Sequence, residues 1–145
     1  MIDRRRRRGF ALVLAILAVV LIGALIVATH AAVQLEHRVA ASAIDRHRAF
    51  AASEYALWSA VAGWDGANAS LPVGGWNMRT VRVAGDSASI ATVRLNGAVF
   101  WVAAEAKVGD PERRARRRTA VNVRVSVDSA GPVVTPVPRS WAELH

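Results

Sequence analysis

The chain changes its hydrophobic rhythm twice. From Phe10 to Thr29, "FALVLAILAVVLIGALIVAT", no charged residue interrupts the apolar run. At 1.5 Å per residue this predicts a helix of roughly 30 Å, enough to cross the hydrocarbon core of a bilayer. From His30 the pattern turns amphipathic. Leu35, Val39, Phe50, Leu57 and Val61 recur at spacings that fit one helical face, while Glu36, Arg38, Asp45, Arg46, Arg48 and Glu54 fall largely elsewhere. No proline precedes Pro72, and Gly23 is the sole glycine between Phe10 and Ala62. One helix of about fifty residues, roughly 80 Å long, is therefore expected. Its second half requires a partner to cover the apolar face.

The connector "GWDGANASLPVGGW" (Gly63–Trp76) is rich in Gly, Asn and Pro and must end that helix. Beyond it the period becomes two. Met78–Ala84, Ser89–Leu95, Ala98–Val108 and Thr119–Val127 read as four strands. In the last of these Val121, Val123, Val125 and Val127 point one way, and Asn122, Arg124 and Ser126 the other. Asn96-Gly97 predicts a type I′ hairpin turn, in which both residues need positive φ. Gly85-Asp86 marks the turn before it and "GDPERRARRR" the turn after it. The expectation is an α+β fold: a long N-terminal helix, half membrane segment and half amphipathic, packed on a small four-stranded antiparallel sheet. It divides the chain into a basic leader (1–9), an apolar half-helix (10–30), an amphipathic half-helix (31–62), a sheet head (63–127) and a Pro-rich tail (128–145). The tail is expected to run over the surface, with Trp141 docking it.

Charge sharpens the membrane reading. The formal charge is +8, and five Arg against Asp3 put +4 of it in the first nine residues. Much of the remainder lies in Arg113–Arg118, so two short clusters account for the high pI and do not by themselves make a nucleic-acid binder. The arginines on one side of the apolar run should stay cytoplasmic, leaving the head periplasmic. The run is longer than an ordinary secretory core of about 7–15 residues, and Ala28-Thr29-His30 is not an A-x-A cleavage site. The absence of cysteine excludes disulfide scaffolds, iron–sulfur clusters and thiol chemistry.

These pieces, in this order, resemble the type IV pilin superfamily. "RRRRGFALVLAILAVV" looks like the family's leader junction. The resemblance implies that prepilin peptidase cuts between Gly9 and Phe10, that Phe10 becomes the N-methylated first residue, and that the apolar helix is kept as the core of a filament. "DRHRAFAASEYALWSA" (Asp45–Ala60) looks like the R..AF.AAE.AL signature of a minor-pilin subgroup related to the assembly-initiating components. The stretches "VRLNGAVFWVAAEAKVG" and "ARRRTAVNVRV" resemble the same group. Most family members carry glutamate at the fifth mature position, where it pairs with a neighbouring subunit's amine. Here that position is Leu14. A carboxylate inside a membrane segment costs about 2.5–3.5 kcal/mol and is kept only for a purpose. Its loss suits a subunit at the filament tip, or a protein that never enters a filament. Gly23 matches a glycine at which family helices loosen, and it fits a close helix–helix contact equally well. The resemblance implies other pilin or pseudopilin subunits as partners through the N-terminal helix, with prepilin peptidase and the inner membrane. The destination would be a type IV pilus or a type II secretion pseudopilus. The rival reading is an uncleaved single-pass protein that keeps its leader and binds an envelope partner.

Catalytic and metal chemistry find little support. His30, His37, His47 and His145 include no i, i+4 pair to hold zinc on a helix, and no nucleophile elbow, zincin or P-loop motif occurs. No cofactor is implied. The run Arg113, Arg114, Arg116, Arg117 and Arg118 could contact DNA or a surface polyanion through its guanidinium forks. The preferred reading is a solvated loop that keeps neighbouring strands from aggregating. Trp58, Trp64, Trp76, Trp101 and Trp141 are expected mainly to pack in the core.

Overall fold

A computed structural model describes residues 4–110 and 114–144. Helix α1 spans Arg4–Ala62, 59 residues. It begins inside the basic leader and not at Phe10, because arginine is a good helix former and nothing before Gly9 stops the winding. The chain divides into two compact units, the first ending at Ala41 and the second beginning at Ser42. In the first, every side chain from Phe10 to Ala41 is exposed.

The second unit holds the core. Within α1, Ala49, Ala52, Ser53, Ala56, Leu57, Ala60 and Val61 are buried. Their spacings of three and four trace one helical stripe. This stripe differs from the expected one. Leu57 and Val61 belong to it, whereas Leu35 and Val39 are exposed. Alanine carries most of the contact, so hydrophobic size was a poor guide to which face is covered. The stripe packs with Ala88, Ile90, Phe100, Val102, Ala104, Val121 and Val123 in one cluster.

A connector with one short turn, α2 (Gly66–Ala69), leads into strands β1 (Trp76–Val83), β2 (Asp86–Asn96), β3 (Val99–Val108), β4 (Ala115–Asp128), β5 (Gly131–Pro136) and β6 (Ala142–Leu144). Asp65 caps α2 by accepting a bond from the Ala67 amide at 2.9 Å. The Arg94 guanidinium fastens this connector to the next hairpin. It donates to the carbonyls of Leu71 (2.7 Å), Ala69 (3.2 Å) and Gly97 (2.6 Å), and lies 5.4 Å from the Phe100 ring centroid.

The sheet is an antiparallel meander in the order β1-β2-β3-β4-β5, with β6 also paired to β4. It has six strands where four were expected, because the Pro-rich tail is woven into it. Asn122 accepts from the Val137 amide at 2.8 Å, so alternate residues of β4 face β5. With Val123 opposite Pro136 and Val127 opposite Pro132, both prolines fall where an N–H would point to the open edge, the place a strand tolerates them. Ser140 bridges the gap before β6: the Asn122 amide donates to its Oγ at 3.1 Å, and that Oγ donates to the Val137 carbonyl at 2.7 Å. Trp141 docks edge-on against Phe50 at 6.4 Å, as expected of the tail.

Val127 lies within β4 and keeps its alternation but is 80% exposed, beyond the buried row of Val121, Val123 and Val125. One other expectation needs correction. The turn after Asn96 has positive φ only at Gly97 (+28°), so it is not type I′. The pattern with two positive φ angles falls instead at Ala84 (+50°) and Gly85 (+92°), between β1 and β2. An L-residue other than Gly or Asn is disfavoured there. Ala84→Asn should therefore raise stability by about 0.5–1 kcal/mol, read as a higher denaturation midpoint in detergent. Ala56→Leu, which forces extra methylenes into a fully buried contact, should lower it by about 1–3 kcal/mol.

Candidate functional site

Two regions carry the residues singled out by the sequence. The first is the apolar half of α1. From Phe10 onward the helix is long and apolar enough to cross a membrane, and none of its most apolar window is buried. Phe10 is 67% and Leu14 48% exposed. A Cβ built on Gly23 would meet nothing within 4 Å, so the glycine leaves a smooth notch on the helix surface. Gly9 lies inside α1, so the Gly9–Phe10 bond belongs to wound helix. A protease would have to unwind it locally, which glycine eases by about 1 kcal/mol relative to alanine.

The second region is the arginine run. Arg113 lies outside the described residues. Arg116, Arg117 and Arg118 are not loop residues, because β4 begins at Ala115, and the strand's alternation divides them. Arg116 and Arg118 share one face of the sheet and converge on Glu105 of β3, each placing Nη2 2.6 Å from its Oε2. Lys107 stands 3.6 Å from the other carboxylate oxygen. Arg117 turns to the opposite face and pairs with Glu143 of β6 at 3.1 Å. There it borders an open depression of about 350 Å³ lined by Arg46, His47 and Phe50. Arg114 is exposed ahead of the strand. The structure thus gathers two of the five arginines and adds Lys107.

Glu105 is the residue the sequence reading missed. Its side chain is only 10% exposed, against 60% for Arg116 and 42% for Arg118. Burial pushes its carboxyl up, but the hydrogen bonds and charges of Arg116 and Arg118 outweigh that and hold it below the usual carboxylate range. A single carboxylate among small apolar residues, "VAAEAKV", followed by an arginine-rich strand, was the available signal. One anion facing three cations leaves a surplus of positive charge on this face. The strand register adds Arg82, in one cross-strand row with Ser87, Lys107 and Arg116.

Compared with protein-family models, curated proteins and solved structures, the chain matches none. Function must therefore be argued from the residues themselves. Among the described residues, no three of His, Asp and Glu gather to hold a metal ion. His145 falls outside them.

The tryptophans divide between core and surface. Trp64 packs edge-on against Phe100 at 5.2 Å, whereas Trp76 is 66% exposed. Trp76 and Met78 on β1, with Val93 and Trp101 on the neighbouring strands, lie on the same face as Glu105.

The depressed carboxyl of Glu105 gives a signed prediction. A group whose folded pKa lies below its unfolded value stabilises the fold above the unfolded value, about 4.3 for glutamate, and loses that contribution as pH falls through the folded one. Glu105→Gln should cost about 1–2 kcal/mol at pH 7, the partly exposed arginines keeping the figure modest. The gap to the parent protein should close below about pH 4. Chemical denaturation of both proteins between acid and neutral pH measures it.

Proposed function

We propose that the chain is a minor pilin or pseudopilin-like subunit. It sits in the inner membrane with its N-terminus cytoplasmic and its head periplasmic. Prepilin peptidase cuts it between Gly9 and Phe10, Phe10 is N-methylated, and the kept helix packs with sister subunits in a type IV pilus or type II secretion pseudopilus. The work is assembly, not catalysis.

The observation that carries this reading is helix α1. It runs unbroken from Arg4 to Ala62, with every side chain exposed from Phe10 to Ala41 and a buried alanine stripe from Ala49 onward. An exposed apolar helix of that length needs lipid or other helices around it. The C-terminal part of the same helix supplies one wall of the core of the second unit. Leu14 removes the intramembrane carboxylate that would seek a preceding subunit's amine, which suits a tip or initiating place. The surplus charge beside Glu105 supports at most a secondary role in holding DNA or a surface polyanion.

The rival reading is a permanent anchor that keeps its leader, and the winding through Gly9 fits it and an uncut precursor alike. Co-expression with a prepilin peptidase, followed by intact mass and N-terminal sequencing, separates the two. Material beginning at methylated Phe10 is expected. Material that still begins at Met1 would establish the anchor instead.

A further inference from the structure

The two open edges of the sheet are built differently. At the β5 edge Pro132 and Pro136 occupy the positions whose amides would point outward, which blocks addition of another strand. The β1 edge has no such device. The Gly74 amide donates to the Arg94 carbonyl at 2.8 Å, and the Arg94 amide to the Gly75 carbonyl at 2.9 Å. Alternate residues of β2 thus face β1, and their partners Asn77, Arg79, Val81 and Val83 turn their backbone inward. The N–H and C=O groups of Met78, Thr80 and Arg82 therefore face out. Among the described residues, no backbone bond formed outside the helices and strands reaches them. The pairing of β1 with β2 runs without a bulge over eight residues, so this edge is long, regular and unprotected by proline.

We propose that the open edge of β1 takes up an extended, acidic segment of another protein as an added antiparallel strand. Main-chain bonds to Met78, Thr80 and Arg82 supply the attraction, and side chains supply the choice of partner. Arg79 and Arg82 lie on opposite faces of β1, and among the described residues neither has an ion-pair partner. Lys107 and Arg116, two of the three cations that share the single carboxylate of Glu105, extend the row of Arg82. A carboxylate opposite Arg82 and another three residues later, opposite Arg79, would neutralise both. The next residue of the incoming strand meets Met78 and the one two further on meets Trp76, which are 61% and 66% exposed. The preferred segment therefore reads acidic-x-x-acidic-apolar-x-apolar. A second copy of this chain fits poorly. Antiparallel β1–β1 pairing about Thr80 would set each Arg79 opposite Val81 and each Arg82 opposite Met78, leaving four arginines along one seam with no carboxylate to pair them. The proposal is independent of whether the Gly9–Phe10 bond is cut.

The test uses the full chain in detergent micelles and a fluorescent synthetic peptide of about nine residues. The peptide carries glutamate at its second and fifth positions, valine at the sixth and eighth, and threonine elsewhere. Saturable binding is expected. It should weaken at least about tenfold when the peptide amides that face β1 are N-methylated, or when Arg79→Glu and Arg82→Glu are combined. The doubly reversed protein should in turn prefer the peptide with lysine in place of glutamate. Thr80→Pro, which copies the blocking device of the β5 edge, should remove binding while leaving the thermal midpoint within a few degrees. The charge-reversed pair keeps the test decisive if the proline variant does not fold. Absence of saturable binding, equal binding of the N-methylated peptide, or indifference to charge reversal would overturn the proposal. So would a concentration-dependent dimer abolished by Thr80→Pro, which would assign the edge to a second copy.

Discussion

The contact between the alanine stripe of α1, from Ala49 to Val61, and the inward row of β2, β3 and β4 is the one on which the rest of the second unit depends. Neither side is stable alone in water. A helix with a bare apolar stripe and a sheet with one bare apolar face each need the other. Phe100, fully covered, sits where several constraints meet: Trp64 packs on its edge, and Arg94 lies over its ring while binding the connector's carbonyls. Closing the core thus also fixes the path from helix to sheet.

Because the inner face of the sheet is committed to α1, its chemistry is pushed to the opposite face and the edges. Glu105 illustrates the constraint. A carboxylate on a central strand is shielded by its neighbours whichever way it points, and two guanidinium groups more than offset the cost of that burial to its charged form. Those arginines are held in place by the pair. The surplus of positive charge on that face follows from the fixed strand register and not from the arginine run as a linear cluster. Edge design is asymmetric for a related reason. The tail's prolines can enter the sheet only at outward amide positions, so the edge they occupy is closed by the same residues that would otherwise have kept the tail out of the sheet.

The first unit obeys a different constraint. Its residues from Phe10 to Thr29 are all exposed and apolar enough in sum to cross a membrane. Their burial must come from lipid or from other subunits. That is why the proposed role is one of assembly, and why on that proposal Leu14, uncharged where helices of the family it resembles carry a carboxylate, bears on position more than on stability.

Some of this was legible in the sequence. An uncharged run of twenty residues behind five arginines, the absence of proline before Pro72 and the alternation of Val121, Val123 and Val125 determined a long helix, its apolar half and a central antiparallel strand. These are local properties of composition and period, and the backbone obeys them wherever the chain lies. The tertiary structure decided the rest. It chose Ala49, Ala52 and Ala56 over Leu35 and Val39 as the covered stripe, because coverage depends on where the sheet sits and not on side-chain size. It recruited Pro132 and Pro136 into an edge strand, because a proline's fitness depends on which way its missing amide would point. It divided the arginine run between two faces and brought Glu105 to two of its members, because cross-strand register joins residues ten or more positions apart that no local pattern connects.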